Sequence, residues 1–403
     1  MIRSTVARVD LAALQSNFRA IRAFVDEPVA LPRDVGRVPA QSRATPDSSD
    51  ATAHPAIIAV VKANAYGHGD GRVASALEQA GATMFACADI EEGIVLRRAG
   101  VTVPILVFGA LSVSDLDGLF EFSLTPTIST PSAARAVQAA AALRKATVGY
   151  HLKVDTGMNR LGFRHDNLRR MLPDVLSSPN LRLDAIYTHF ATADDPEHPL
   201  FGEQRVRFEE AVRTMQALGV PKTVLRHAAN SAALLRDSRV WYDFVRPGLL
   251  LFGIVPPPLA STLDLQPVMS LTSLVVAVKG LRPGESVGYG GRFRADAAVT
   301  VAVVPAGYAD GLDLRLGGRG QVLIRGRRVP IVGAVSMDMI TVDVTGVDIV
   351  QPGDQVTLIG RQGHETWQQI DMREMAAAIG TIPYEIACRI GARIERQYSA
   401  PPS

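Results

Sequence analysis

Ala56-Ile57-Ile58-Ala59-Val60-Val61-Lys62 is the stretch on which the reading of the fold turns. A run of branched apolar residues without alternation reads as a strand buried on both faces, the pattern of a parallel sheet covered by helices. The small, glycine-containing segment after it, Ala63-Asn64-Ala65-Tyr66-Gly67-His68-Gly69, reads as a turn. Lys62 therefore stands at the C-terminal end of a buried strand. Burial disfavours an ammonium, lowers its pKa and frees the amine as a base or as a nucleophile toward a carbonyl. Taken alone, such a lysine could equally extend its stem to water.

Working outward, short apolar strands alternate with longer segments of helical period. The strands are expected at 56–62, 83–88, 104–108, 124–128, 148–155, 183–190, 224–228 and 244–252. Ala- and Leu-rich stretches such as 70–80, 132–145 and 203–218 carry the helical period between them. Eight strands separated in this way predict an α/β fold, a closed N-terminal (β/α)8 TIM barrel. Upstream, Asp10 is placed to cap a helix on which Leu11, Leu14, Phe18 and Ile21 share a face. Residues 28–55 are rich in Pro, Ala, Ser, Asp and Arg, show no apolar period, and read as a surface insertion. Beyond Pro256-Pro257-Pro258 the texture changes. Strands are expected at 268–279, 299–304, 321–324, 329–335, 339–344 and 355–359, with a helix near 370–379. The expected organisation is a barrel over 10–258 followed by a mostly β C-terminal domain over 259–403.

The 403 residues are 47% hydrophobic and 20% charged, with a net charge of +2, a composition typical of soluble globular chains. No basic patch dominates, so nucleic acid is not an expected partner. Only Cys87 and Cys388 are present, without metal-ligand spacing, which argues against structural zinc or a disulfide framework and fits a reducing compartment. No secretory leader is legible, and no apolar stretch approaches the ~20 residues of a membrane helix. The cytoplasm is the expected location, with no membrane association and no metal.

In a (β/α)8 barrel, chemistry collects at the C-terminal ends of the strands. Here the first strand delivers Lys62 and Tyr66, and the fifth delivers Lys153, Asp155 and Arg160. The sixth ends on His189, the seventh runs into Asn230-Ser231, and the eighth carries Arg246-Pro247-Gly248. Singly, these are a core histidine, a helix cap, an ion pair and a surface residue; together they occupy one rim. Ser231 and the Gly248-Leu249 backbone fall at strand-to-helix turns after strands seven and eight, where such barrels bind phosphate. A lysine able to hold an aldehyde as an imine, beside a phosphate site, points to pyridoxal phosphate.

On these residues the chain resembles the alanine racemases. The matching segments are Val61 to Gly69, Asp155-Thr156-Gly157-Met158-Asn159-Arg160-Leu161-Gly162, Tyr187-Thr188-His189-Phe190-Ala191, Ala229-Asn230-Ser231 and Arg246-Pro247-Gly248. In the second domain they are Gly288-Tyr289-Gly290, Gly307-Tyr308-Ala309-Asp310-Gly311, Ser336-Met337-Asp338 and Thr381-Ile382-Pro383-Tyr384-Glu385. The resemblance implies a homodimer with shared sites, in which the β domain reaches into the partner's barrel, and a small amino-acid substrate. It implies that Lys62 holds pyridoxal 5'-phosphate and is the base on one face, with Tyr289 of the other subunit the base on the opposite face. Arg160 and the Met337 backbone would bind the substrate carboxylate. Tyr66, Ser231, Gly248, Leu249 and Tyr384 would hold the phosphate, with Asn230 also at the cofactor. His189 would stack on the ring, Arg246 would face its nitrogen, and Tyr308 would narrow the entrance. Lys153 matches a lysine that the family often carries as a carbamate. The insertion 28–55 and the run Leu312-Asp313-Leu314-Arg315 depart from the family pattern.

Three other classes share parts of this signature. Barrel-type amino-acid decarboxylases commonly place an acid at the pyridine nitrogen, where this chain has Arg246. Single-domain cofactor-binding barrels lack a β domain. A plain phosphate-binding barrel would leave Lys62 unexplained.

Overall fold

The computed structural model describes residues 4–27, 54–111, 115–363 and 366–399. All but the last two residues of the 28–55 insertion lie outside this set. Eight strands form the barrel: Ala56–Val60, Met84–Cys87, Ile105–Val107, Thr125–Ile128, Val148–Asp155, Leu181–Tyr187, Leu225–Asn230 and Phe244–Arg246. Each pairs in parallel with the next. The eighth pairs in parallel with the first, which closes the ring. Every expected strand is present. The expected 244–252 is shortened because Leu249–Phe252 winds into a 3-10 turn. The helix Leu11–Asp26 starts where Asp10 accepts from the amides of Ala12 and Ala13, both at 3.0 Å, and it buries Leu11, Leu14, Phe18 and Ile21.

The C-terminal domain is built on an extended, mainly antiparallel sheet. Its order is Ala277–Leu281, Val299–Val304, Ile340–Asp343, Arg327–Val332, Gln321–Ile324, Gln355–Gln362 and Met269–Leu274. The expected 268–279 strand is two strands. The Val275 amide turns to Asp354 O and that of Val276 to Val303 O, both at 2.9 Å, so the chain changes neighbours there. The strand expected at 329–335 runs from Arg327 to Val332 instead. Arg325 and Gly326 both adopt positive φ (51° and 74°), a two-residue hairpin turn that starts the return strand early.

Val6–Asp10, which the hydrophobic pattern passes over, completes this sheet. It pairs antiparallel with Met269–Leu274 and parallel with Glu395–Ser399, then runs directly into the first barrel-side helix. The buried Asn17 adds a second tie. Its Nδ2 donates to Leu251 O (3.0 Å) and Gln266 O (2.8 Å), and its Oδ1 accepts from the Gln266 amide at 2.7 Å. The two domains share a continuous apolar core.

Candidate active site

Lys62 stands where the first strand ends, and the turn after it is left-handed. Ala63, Asn64, Ala65 and Tyr66 have φ of 54°, 54°, 50° and 52°. Residues with a Cβ disfavour this region by roughly 1–2 kcal/mol each, so the surroundings must enforce it. Glu92 does so from the helix Ile90–Arg98. One carboxylate oxygen accepts from the Ala63 amide and the other from the Ala88 amide, both at 2.7 Å. Asn64 Oδ1 accepts from the Asp70 amide (3.0 Å), and a Cβ at Gly67 would run into the Ala387 carbonyl. The Lys62 amine is half-buried, and its pKa is lowered, first by burial and then by the charge of Arg160.

Across the rim the residues expected to hold phosphate converge. Ser231 Oγ accepts from the amides of Gly248 (3.0 Å) and Leu250 (3.4 Å). A Cβ at Gly248 would strike the Tyr66 hydroxyl, so only glycine admits this approach. The Tyr66 and Tyr384 rings lie 5.9 Å apart, which brings the C-terminal helix Pro383–Cys388 to the same place. Burial pushes both phenols up, that of Tyr384 to about 12. Asn230 caps the helix Ser231–Arg236, its Oδ1 accepting from the Ala233 amide at 2.9 Å.

The fifth strand supplies Lys153 and Asp155. Asp155 Oδ1 accepts from the amides of Gly157 and Asn159, both at 3.0 Å, folding the loop that presents the exposed Arg160. A Cβ at Gly162 would crowd the Asp155 amide at 2.7 Å, which explains the second glycine of the motif. Lys153 points inward and is 5% exposed, with Nζ 5.7 Å from the Tyr187 ring centre. Burial, then Arg160 and Arg246, push its amine down to about 8, with Asp155 opposing.

Arg246 is buried without an ion-pair partner among the described residues. Its Nη1 donates to His227 Nδ1 (2.9 Å), and Nη2 donates to the carbonyls of Thr188 and Ala228, both at 2.9 Å. His189 Nδ1 lies 3.4 Å from the same Nη2. Burial pushes the guanidinium down to about 10, so it keeps its charge at neutral pH. His189 is held well below the usual imidazole range, first by burial and then by Arg246, and is neutral there.

Met337 and Tyr308 sit together on the C-terminal domain: the Tyr308 amide donates to Ser336 O (2.9 Å) and the Ala309 amide to Met337 O (3.1 Å). Tyr289 is 77% exposed and Met337 52% exposed.

Several contacts of the site carried no sequence signal. Arg393 donates to both carboxylate oxygens of Asp310, to Met337 O (3.2 Å) and to Asp338 (2.8 Å), and so sets the loop that holds Met337. Asp313 and Arg315, in the run that departs from the family pattern, pair with each other. Asp313 also pairs with Arg389, which bonds Glu385 (2.6 Å) next to Tyr384. Cys388 couples electrostatically to Lys62. Glu92 could have been suspected only from its place at the N-terminus of a helix.

Two lysine amines, two arginines and the Ser231-bonded turn beside Tyr66 and Tyr384 at one barrel mouth, with a β domain folded back onto it, define a (β/α)8-barrel enzyme with an appended β domain. Family models for the alanine racemase N-terminal domain and C-terminal domain match residues 48–256 and 268–398. The alanine racemase of Carboxydothermus hydrogenoformans is 39% identical over 402 residues, 98% of this chain and all of that one. The crystal structure of alanine racemase from Streptomyces lavendulae superposes with a TM-score of 0.87 at 30% identity, covering 99% of this chain and 98% of that one. That from Bartonella henselae, with covalently bound pyridoxal phosphate, gives 0.82 at 28% identity, covering 98% and 99%. The chain belongs to the alanine racemase family, a family of isomerases.

Proposed function

We propose that the chain interconverts L- and D-alanine using pyridoxal 5'-phosphate, with two bases on opposite faces of the substrate. The observation that carries this reading is the pairing of one amine with one anion cradle. Lys62 has a lowered pKa, and the Tyr66–Ser231–Gly248 cradle lies at the same mouth, where the lack of a Cβ on Gly248 lets the Tyr66 hydroxyl come close to the Ser231-bonded turn. Those groups suit a molecule with an aldehyde at one end and a phosphate at the other. Lys62 would take the aldehyde; Tyr66, Ser231, Gly248, Leu249 and Tyr384 the phosphate, with Asn230 alongside; His189 a ring face; and Arg246 the ring nitrogen. When bound, the cofactor supplies a ring that withdraws electrons from the substrate's Cα–H bond.

The chain's own residues do the rest. Lys62 takes or returns a proton at Cα on one face. Tyr289 from a second copy does so on the other. Arg160 and the Met337 backbone hold the substrate carboxylate, and Tyr308 narrows the approach. Arg246, charged and bonded on both terminal nitrogens, would face the ring nitrogen as a donor that does not give up its proton, which would moderate the electron sink and disfavour side reactions. Lys153 faces the like charge of Arg160. As a neutral amine it can add to CO2, forming an N–C bond and releasing a proton, and the resulting carbamate anion would steady Arg160.

Exposed Tyr289, Tyr308, Met337, Met339, Leu314 and Ile382 support a homodimer, since a second copy would cover them. Both cysteines are free, which fits work in the cytoplasm. Among the described residues no helix is long and apolar enough to cross a membrane. The product role that follows is supply of D-alanine for peptidoglycan. Incubating the cofactor-loaded protein with single L-amino acids and resolving products by chiral chromatography tests the reading. D-alanine should form until both enantiomers are equal, and its failure to form would end the proposal.

A further inference from the structure

The turn after Lys62 is held at its start by Glu92, through the Ala63 amide. Its far end is held by a distant part of the chain. Half-buried Arg396, on the strand Glu395–Ser399, donates from Nε to Gly67 O (3.1 Å). Its Nη1 donates to Gly391 O (2.7 Å) and Ile394 O (2.8 Å), and its Nη2 to Ile390 O (2.7 Å). One carbonyl is on the turn and three are on the segment that follows the Tyr384 helix. Two residues on, the Tyr398 hydroxyl donates to His68 O at 3.2 Å, and the Arg72 guanidinium lies 5.4 Å over the Tyr398 ring. Gly69, at φ 97°, admits that hydroxyl, since a Cβ there would strike it. The anchoring segment is itself fixed. The Gly391 amide donates to Asp310 O (3.1 Å), and the Asp310 carboxylate accepts from Arg393.

We infer that Arg396, assisted by Tyr398, is a positioning residue of the candidate site: it pins the carbonyl end of the left-handed turn and so sets where Tyr66 stands. Between the two clamps lie Ala63, Asn64, Ala65 and Tyr66, all in a region that a Cβ disfavours. The turn's own bonds, Ala65 N–H to Val61 O (2.9 Å) and Gly67 N–H to Ala63 O (3.0 Å), run within the segment itself. Fixing Gly67 O, one residue past Tyr66, keeps the Tyr66 hydroxyl against Gly248. The planar guanidinium fork reaches carbonyls on two separate segments, whereas an ammonium is a single point of donation. The consequence for a phosphate held by Tyr66 rests on the proposed function; the hold on the turn does not.

Full-length Arg396→Lys keeps the charge and loses the fork. Hydrogen–deuterium exchange, read by mass spectrometry on peptides covering 62–69, should accelerate roughly tenfold or more while the barrel strands stay as they were. Imine absorbance titrations with pyridoxal 5'-phosphate and with pyridoxal, which lacks the phosphate, give the second readout. The preference for the phosphorylated aldehyde should fall about tenfold, because both need Lys62 and only one uses Tyr66. Asn17→Ala loosens the same domain junction from another side and should leave that preference where it is. Parent-like exchange over 62–69 in folded Arg396→Lys would overturn the inference. So would an unchanged preference in that variant, or an equal loss of preference in Asn17→Ala. If Arg396→Lys does not fold, Tyr398→Phe decides: losing only the bond to His68 O, it should show both changes at about threefold, and neither change would sink the inference. If neither aldehyde forms an imine with the unsubstituted protein, the cofactor reading fails and the exchange rates decide the inference alone.

Discussion

Arg246 donates through Nη1 to Nδ1 of His227 at 2.9 Å, and that contact orders a chain of imidazoles beneath the site. Because Nδ1 of His227 accepts, its proton is on Nε2, which lies 3.0 Å from His151 Nδ1 and donates to it. The His227 ring stacks on Tyr187 at 4.6 Å with 7° between planes. A guanidinium is therefore held by neutral imidazole and backbone carbonyls, with no carboxylate to share its charge among the described residues. This suits the proposed role, in which the pyridine nitrogen of a bound cofactor would be bonded but not protonated.

Arg246→Glu tests that arrangement. An acid there would protonate the pyridine nitrogen, and racemisation should fall roughly 10²-fold or more. Transamination should rise as a share of turnover. Product analysis by chiral chromatography and keto-acid assay reads both; an unchanged product ratio would remove Arg246 from reaction control.

Glu92→Gln tests the clamp on the Lys62 turn. The carboxylate accepts from Ala63 and Ala88 amides, whereas a carboxamide must turn an N–H toward one of them. Unfolding free energy from urea titration should drop by ~1–3 kcal/mol. Turnover should drop too, because the amine loses its fixed position. Full stability with full activity would show that the turn holds itself.

Lys153→Ala should cost roughly 10²-fold in rate, the scale of a displaced positioning group. Added formate or acetate should recover part of the loss if an anion beside Arg160 is what is missing. With ¹³C-bicarbonate, the unsubstituted protein should show a carbamate signal that the variant lacks. Absence of that signal would defeat the carbamate.

Tyr289→Phe and Lys62→Ala should each be nearly inactive alone. If sites are shared across a dimer, an equal mixture that has exchanged subunits recovers about a quarter of unsubstituted activity, since half the dimers hold one intact site. Sedimentation checks the assembly. A fully active monomer would contradict shared sites.

Asp313 gives a pH prediction. Hydrogen bonds from Arg315 hold its carboxyl at about 2, below the ~3.9 of an unfolded chain. The unfolded chain takes up the proton first, so the stabilisation is full above about pH 4 and fades as pH falls through about 2. Asp313→Asn should flatten the loss of stability across that window in acid titrations followed by circular dichroism. A slope unchanged from the parent would place the acid sensitivity elsewhere.

Much of this was legible without coordinates. The eight barrel strands are dense apolar runs, and strands buried on both faces have no other composition open to them. Lys62, Lys153, His189, Ser231 and Arg246 could be placed at one rim because the barrel orients every strand the same way. The cap at Asp10 and the face of the helix after it were equally local.

Tertiary structure decided the rest. Val6–Asp10 carries too little pattern to announce itself, and its partners lie at the far end of the chain, in Met269–Leu274 and Glu395–Ser399. Four consecutive left-handed residues after Lys62 run against their own backbone preferences, and Glu92 holds the start of the turn from elsewhere through the Ala63 amide. Arg393 under Met337, and Arg396 against Gly67 O, are matters of distance in space. Hydrophobic period records which face of an element is buried. It does not record which distant polar group meets a given backbone atom, because that pairing exists only once the chain has closed.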